Sequence, residues 1–74
     1  MSHPRTFSPD RLRAARKRAN LNRETLALCI GRTVVSVGNY ERGTTVPPED
    51  VLEKIARILG VSPDELLEDG ARVG

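Results

Sequence analysis

The chain has 74 residues, of which 38% are hydrophobic and 30% are charged, and its formal net charge is +2. This length allows one domain, and the composition is that of a small helical protein rather than of a disordered chain. No apolar run approaches the roughly 18 residues of a membrane span, and the opening segment MSHPRTFSPDR lacks the hydrophobic core of a signal peptide, so we expect a cytoplasmic protein that makes no membrane contact. With Cys29 as the single cysteine and His3 as the single histidine, the sequence offers no intrachain disulfide and no four-ligand zinc site, and we expect no cofactor.

The charges are distributed unevenly along the chain. Residues 1–43 contain nine lysines and arginines against three acids, a net charge of +6, whereas residues 44–74 contain three against seven, a net charge of −4. The first half therefore suits a polyanion, and the second half suits water or a basic surface. The alternative is that the basic helix faces are merely solvated.

Capping residues predict the first two of five short helices. Ser8 and Pro9 begin the first, because serine can accept a bond from a free N–H group and proline suits the first helical position. Asn20 ends it, since asparagine adopts the left-handed conformation more readily than most residues. Asn22 caps a second helix, which ends at Gly31.

The third predicted helix lies between Thr33 and Gly43 and contains three valines and a glycine, all poor helix formers. Tertiary packing must therefore hold it, and Val37, with Tyr40 beside it, is expected to face the core. Only a short turn containing glycine separates this helix from the second. Two short helices joined in this way form a helix-turn-helix, whose second helix can lie in a DNA major groove.

Two further helices are predicted after Gly43. Pro47 and Pro48 begin the fourth, whose apolar residues give the strongest amphipathic pattern in the chain, and Gly60 ends it. The segment Ser62-Pro63-Asp64-Glu65 is a capping box for a short fifth helix. No strand pattern is present. We therefore predict an all-α, compact five-helix bundle over residues 9–69, with a helix-turn-helix at about 23–42, a flexible N-terminal tail at 1–8 and a C-terminal tail at 70–74.

From Leu12 to Leu67 the chain resembles the lambda-repressor-like helix-turn-helix family, also called the Cro/CI or XRE type. The match spans about three quarters of the chain without a gap in spacing. A single piece such as YERG would be weak evidence, whereas the ordered set is specific. The residues that carry the resemblance are Leu21, Glu24, Leu26, Ala27, Ile30, Gly31, Thr33, Val37, Tyr40, Glu41, Arg42, Gly43, Pro47, Leu52, Lys54, Ile55, Ala56, Leu59, Gly60, Val61, Ser62, Asp64, Glu65 and Leu66.

The resemblance implies a domain that binds operator DNA, usually as a dimer, with residues 34–42 as the recognition helix. It also implies a buried ion pair between Arg16 and Glu41, the alternative being that Arg16 faces solvent among its basic neighbours. Arg32 stands where the family tends to place an apolar residue, so its charged end either reaches a phosphate or is simply exposed. The residues of this chain predicted to contact the DNA backbone are Arg23, Arg32, Thr33, Arg42, Thr44 and Thr45. All of them except Arg32 stand at positions where family members often contact DNA.

The base-reading positions of the family correspond to Val34, Val35, Ser36 and Asn39. Both valines replace polar residues that commonly read base edges, which leaves Ser36 and Asn39 as the hydrogen-bonding candidates. Asparagine can bind adenine bidentately and valine can pack on a thymine methyl group, so we expect a preference for A·T-containing steps, assisted by DNA shape. Gly38, which replaces a longer side chain, leaves room for close approach to DNA.

The sequence thus predicts a DNA-binding transcriptional regulator without enzymatic activity, and of the two modes of regulation we expect repression. It would bind double-stranded DNA at a pseudopalindromic operator as a homodimer, with the last helix and residues 66–74 as the dimer contact. The alternatives are a protein-interaction module that keeps the fold but no longer reads bases, and an antitoxin that captures a partner protein. Leu28 and Cys29, at positions that are usually polar in the family, are either scattered surface residues or part of such a protein contact.

Overall fold

The computed structural model describes residues 5–69, which form four α-helices, one 3₁₀ turn and a two-stranded antiparallel sheet. The central helix-turn-helix is present, as the sequence predicts. No helix in this part of the chain has the length and apolarity needed to cross a lipid bilayer. In chain order the elements are β1 (Arg5–Phe7), α1 (Pro9–Arg18), α2 (Arg23–Ile30), α3 (Val34–Arg42), α4 (Glu49–Leu59), the 3₁₀ turn (Pro63–Leu66) and β2 (Leu67–Asp69).

The predicted fifth helix is wrong. The N–H group of Ser62 donates to Glu65 Oε2 at 3.1 Å, so the capping residues do begin a turn, but the backbone is already extended at Leu67, with φ −115° and ψ 156°. Beyond that point the backbone groups of the chain find partners in β1, and the carbonyl of Leu66 accepts from the N–H group of Ser8 at 2.9 Å. A single helical turn is costly to nucleate, whereas the neighbouring strand satisfies the same backbone groups.

The two strands were not predicted, because a three-residue strand is too short to show an alternating pattern. Strand β1 comes from the segment predicted to be the N-terminal tail, and Phe7 lies opposite Leu67. Two arginines join the strands to the rest of the fold: Arg5 Nη2 donates to the Asp64 carbonyl at 3.0 Å, and Arg11 Nη1 donates to the Leu67 carbonyl at 2.6 Å. The rest of that tail, residues 1–4 with His3, and the predicted tail at 70–74 lie outside the described residues.

The caps of α2 and α3 follow the sequence prediction. Asn22 Oδ1 accepts from the N–H group of Thr25 at 2.7 Å, and Thr33 Oγ1 accepts from the N–H group of Ser36 at 3.1 Å. Gly31, with φ 71°, ends α2 in the left-handed conformation, in which other residues are strained. The turn between the two helices is therefore short and fixed at both sides.

One hydrophobic core joins the four helices and the 3₁₀ turn. Val37 is fully buried and Tyr40 nearly so, and these two side chains hold α3 to the core despite its weak helix formers. The buried apolar residues are Leu12, Ala15, Leu26, Ala27, Ile30, Val37, Tyr40, Val51, Ile55, Ala56, Leu59 and Leu66.

Candidate nucleic-acid interface

Helix α3 has one face in the core and one face in solvent. Val37, Tyr40 and Glu41 are buried, whereas the side chain of Val35 is 65% exposed and that of Val34 is 40% exposed. The two predicted hydrogen-bonding residues, Ser36 and Asn39, are half-buried. The outer face of the helix thus has exposed valines at its N-terminal end and the exposed Arg42 at its C-terminal end.

Arg16 and Glu41 form a buried ion pair beneath that face. Arg16 Nε donates to Glu41 Oε2 at 2.5 Å and Arg16 Nη2 donates to Glu41 Oε1 at 3.1 Å, and the two residues are 7% and 2% exposed. The remaining Nη1 group of Arg16 donates to the Leu21 carbonyl at 2.8 Å. Because this bidentate contact links α1 to the C-terminal end of α3, it fixes the position of α3 on the bundle.

A third charged residue, Arg23 at the start of α2, joins the pair. Its Nε donates to Glu41 Oε1 at 3.0 Å, while its side chain stays 49% exposed. Burial by itself would raise the pKa of Glu41, but the hydrogen bonds and charges of Arg16 and Arg23 outweigh it and hold that pKa below its ordinary value. Glu41 therefore connects a buried arginine to one that reaches the surface.

Arg23 was predicted to contact the DNA backbone, and its bond to Glu41 was not predicted. No spacing rule links two residues 18 positions apart when their approach depends on how two helices cross. The charges offered one cue to this bond. Glu41 is the single acid of α3, and besides its predicted partner Arg16 a second basic residue, Arg23, begins the neighbouring helix α2.

Two short-range contacts organise the polar atoms of α3. Thr33 Oγ1 lies 3.1 Å from Ser36 Oγ, so the cap residue and the first hydroxyl of the helix are hydrogen-bonded. Arg42 Nη2 donates to Asn39 Oδ1 at 2.5 Å, which turns the arginine back along the helix. Neither contact was predicted, although both join residues three apart on one helix face.

The remaining predicted backbone-contacting residues lie on the exposed surface around α3. Arg32 in the turn is exposed, as are Thr44 and Thr45 after the helix. The N–H groups of both threonines donate to the Asn39 carbonyl, at 2.9 and 3.4 Å, so the segment is held against the helix end. Its hydroxyl groups and the arginine head are donors of the kind that bind phosphate oxygens.

Helix α2 carries two exposed residues that were predicted to be either scattered on the surface or part of a protein contact. The side chain of Leu28 is 81% exposed, and its neighbour Cys29 is also exposed. Within residues 5–69 no group of three or more His, Cys, Asp and Glu side chains is arranged to hold a metal ion.

Comparison with known proteins gives consistent matches over most of the chain. A family model described as a helix-turn-helix domain matches residues 10–68. The uncharacterised HTH-type transcriptional regulator YazB of Bacillus subtilis (strain 168) is 36% identical over 56 residues, which are 76% of this chain and 81% of YazB.

Two solved structures superpose closely on this fold. The P22 c2 repressor protein, solved in complex with synthetic operator 9T, is 32% identical, with a TM-score of 0.76 over 81% of this chain and 91% of the repressor chain. The restriction-modification controller protein C.AhdI from Aeromonas hydrophila is 36% identical, with a TM-score of 0.74 over 78% of this chain and 88% of the controller.

Proposed function

Because the chain belongs to the lambda-repressor-like helix-turn-helix family of DNA-binding transcriptional regulators, we propose that it recognises a specific pseudopalindromic operator in double-stranded DNA and acts as a repressor. The observation that carries the proposal is the division of α3 into a buried face, with Val37, Tyr40 and Glu41, and an outward face that includes Val35 and Asn39. A helix held in this way can enter the major groove without losing its packing. We assign no catalytic step to the protein.

The proposed contacts fall into two groups. Phosphate contacts supply affinity that is independent of sequence, and contacts of α3 with base edges and methyl groups supply selection. The proposed base-reading residues are Val34, Val35, Ser36 and Asn39. The proposed backbone contacts are Arg23, Arg32, Thr33, Arg42, Thr44 and Thr45.

The proposed active form is a homodimer, since two recognition helices about 34 Å apart match one turn of DNA. The dimer contact predicted for the last helix and residues 66–74 loses its helix, because residues 63–69 form a 3₁₀ turn and a strand and Leu66 is buried in the core of its own chain. The dimer proposal therefore depends on the operator geometry alone. A monomer in sedimentation runs at working concentration, both with and without DNA, would contradict it.

The test of sequence recognition is selection from a random duplex pool, followed by competition with the intergenic region beside the protein's own gene. A regulator should enrich one half-site pattern in two copies and should bind the intergenic duplex more tightly than random duplex. Equal binding of all duplexes would reject the proposal. That result would favour the second candidate, a protein-interaction module or antitoxin, for which the exposed Leu28 and Cys29 are the supporting observation.

A further inference from the structure

The outer face of α3 carries an arginine that lies along the helix instead of extending from it. Arg42 Nη2 donates to Asn39 Oδ1 at 2.5 Å, and a Cβ atom built on Gly38 would be 3.1 Å from Arg42 Nη1. A side chain at position 38 would therefore meet the guanidinium group. Gly38 leaves the space in which the Arg42 head rests, four residues back along the same face.

This contact fixes which way the Asn39 amide faces. An arginine has only donors, so the Asn39 atom that meets it must be the carbonyl oxygen, and the NH₂ group must point away from it. The polar atoms that the pair can offer to a ligand are then the Asn39 NH₂ group and the N–H groups of Arg42 that Asn39 does not use. All of them are donors.

We propose that Asn39 and Arg42 act as one donor unit that reads the acceptor edge of guanine, with the Arg42 head lying in the space that Gly38 leaves. This inference rests on the proposed function and deepens it. Guanine presents two acceptors in the major groove, N7 and O6, whereas adenine presents the N7 acceptor beside the N6 donor. If the base were adenine, its N6 donor would find no free acceptor, because the Asn39 oxygen already accepts from Arg42 and the neighbouring Arg42 N–H groups are donors themselves.

The unit changes the expected operator. Asn39 acting alone predicts adenine, and the exposed valines predict thymine methyl contacts. With Arg42 in place, guanine is expected at the base pair that Asn39 contacts, and the A·T preference is restricted to the base pairs beneath Val34 and Val35. Arg42 accordingly selects sequence, in addition to any attraction of its charge for phosphate.

The test starts from the duplex that the wild-type protein selects from a random pool. Asn39→Ala and Arg42→Ala should each relax the preference for guanine at the same base pair, by roughly 5- to 150-fold, the discrimination of one good bidentate contact. The double variant should lose little more than either single variant, and replacing that guanine by 7-deazaguanine should weaken the wild type but hardly affect Arg42→Ala.

Arg32→Ala is the matched control, since Arg32 is also exposed and lies close to α3 in sequence but has no side-chain bond to Asn39. It should weaken binding to every duplex by the same factor. The inference is overturned if Arg42→Ala behaves like Arg32→Ala, if the losses of Asn39→Ala and Arg42→Ala multiply, or if adenine is selected at that base pair.

A measurement on the free protein separates this inference from the proposed function. The NMR resonances of the Asn39 side-chain NH₂ group should move in Arg42→Ala and stay in place in Arg32→Ala. If they move but no duplex is preferred, the pair exists and the proposed function fails. If a sequence is selected but the resonances do not move, the regulator remains and the donor unit is rejected.

Discussion

The most direct test of the buried charge cluster is the substitution Glu41→Gln, which keeps the shape of the side chain and removes its charge. Glu41 is 2% exposed and accepts three hydrogen bonds from Arg16 and Arg23, so the variant leaves the 7%-exposed Arg16 without a counter-charge. Removal of one partner from a buried pair costs roughly 3 to 5 kcal/mol. The half-exposed Arg23 adds little, because solvent screens its contact.

That loss is large for a domain of this size, whose stability is expected to be about 4 to 11 kcal/mol. Urea unfolding followed by circular dichroism measures it, and with a slope of about 1.5 kcal/mol per M the midpoint should fall by about 2 M or more. The matched control is Glu53→Gln on α4, an exposed acid whose replacement should change stability by less than about 0.5 kcal/mol.

Two results would refute the reasoning. A loss below about 1 kcal/mol for Glu41→Gln would show that Arg16 is not left as a costly buried charge. The double variant Arg16→Met with Glu41→Leu should recover most of the loss, because replacing a whole buried pair by apolar residues is often close to neutral. A double variant that is less stable than Glu41→Gln would contradict the assignment of the cost to an unpaired charge.

Three further predictions concern pH, the turn and DNA. The fold lowers the pKa of Glu41 below its ordinary 4.5, so the stability that its charge adds should be complete above about pH 4.5 and should be lost as the pH falls through the lower folded pKa. When urea unfolding is repeated from pH 7 down to pH 3, the difference in midpoint between the wild type and Glu41→Gln should therefore become smaller. Gly31→Ala should cost about 1 to 2 kcal/mol in the same assay, because no atom lies within 4 Å of the added Cβ but φ is 71°; a neutral result would show that the turn relaxes. In DNA binding, Asn39→Ala should cost roughly 1 to 3 kcal/mol of binding free energy on the preferred duplex and little on a random duplex, whereas Arg23→Ala should weaken binding to every duplex and make it less dependent on salt. Equal losses on the preferred and the random duplex for Asn39→Ala would show that Asn39 does not read bases.

Most of the helical framework could be predicted from local signals. Asn22, Thr33 and Gly31 mark helix ends because their side chains, or the lack of one, act on backbone groups within four residues. Val37 was predicted to be buried from its helical spacing to Tyr40 and Glu41, and it is fully buried. Such features depend only on neighbouring positions, so the sequence contains them directly.

The contacts that define the candidate interface could be predicted only in part. The bond between Arg23 and Glu41 depends on how two helices cross, which no local spacing of residues determines. The contact between Arg42 and Asn39 is local, but a polar pair on an exposed helix face has several partners available in solvent, and spacing does not choose among them. The space that Gly38 leaves for the Arg42 head depends on that contact, so it could not be predicted from the sequence either.

The strand pair also has a consequence for the order of folding. Strands β1 and β2 join residues about sixty positions apart, whereas the helices and the turn between α2 and α3 form from neighbouring residues. Bringing the two strands together closes a loop of about sixty residues, and this costs chain entropy before any hydrogen bond of the sheet can form. The sheet should therefore form after the helices have packed. The same sheet should open first, and the amide protons of β1 and β2 should exchange with solvent at lower free energy than those of α4.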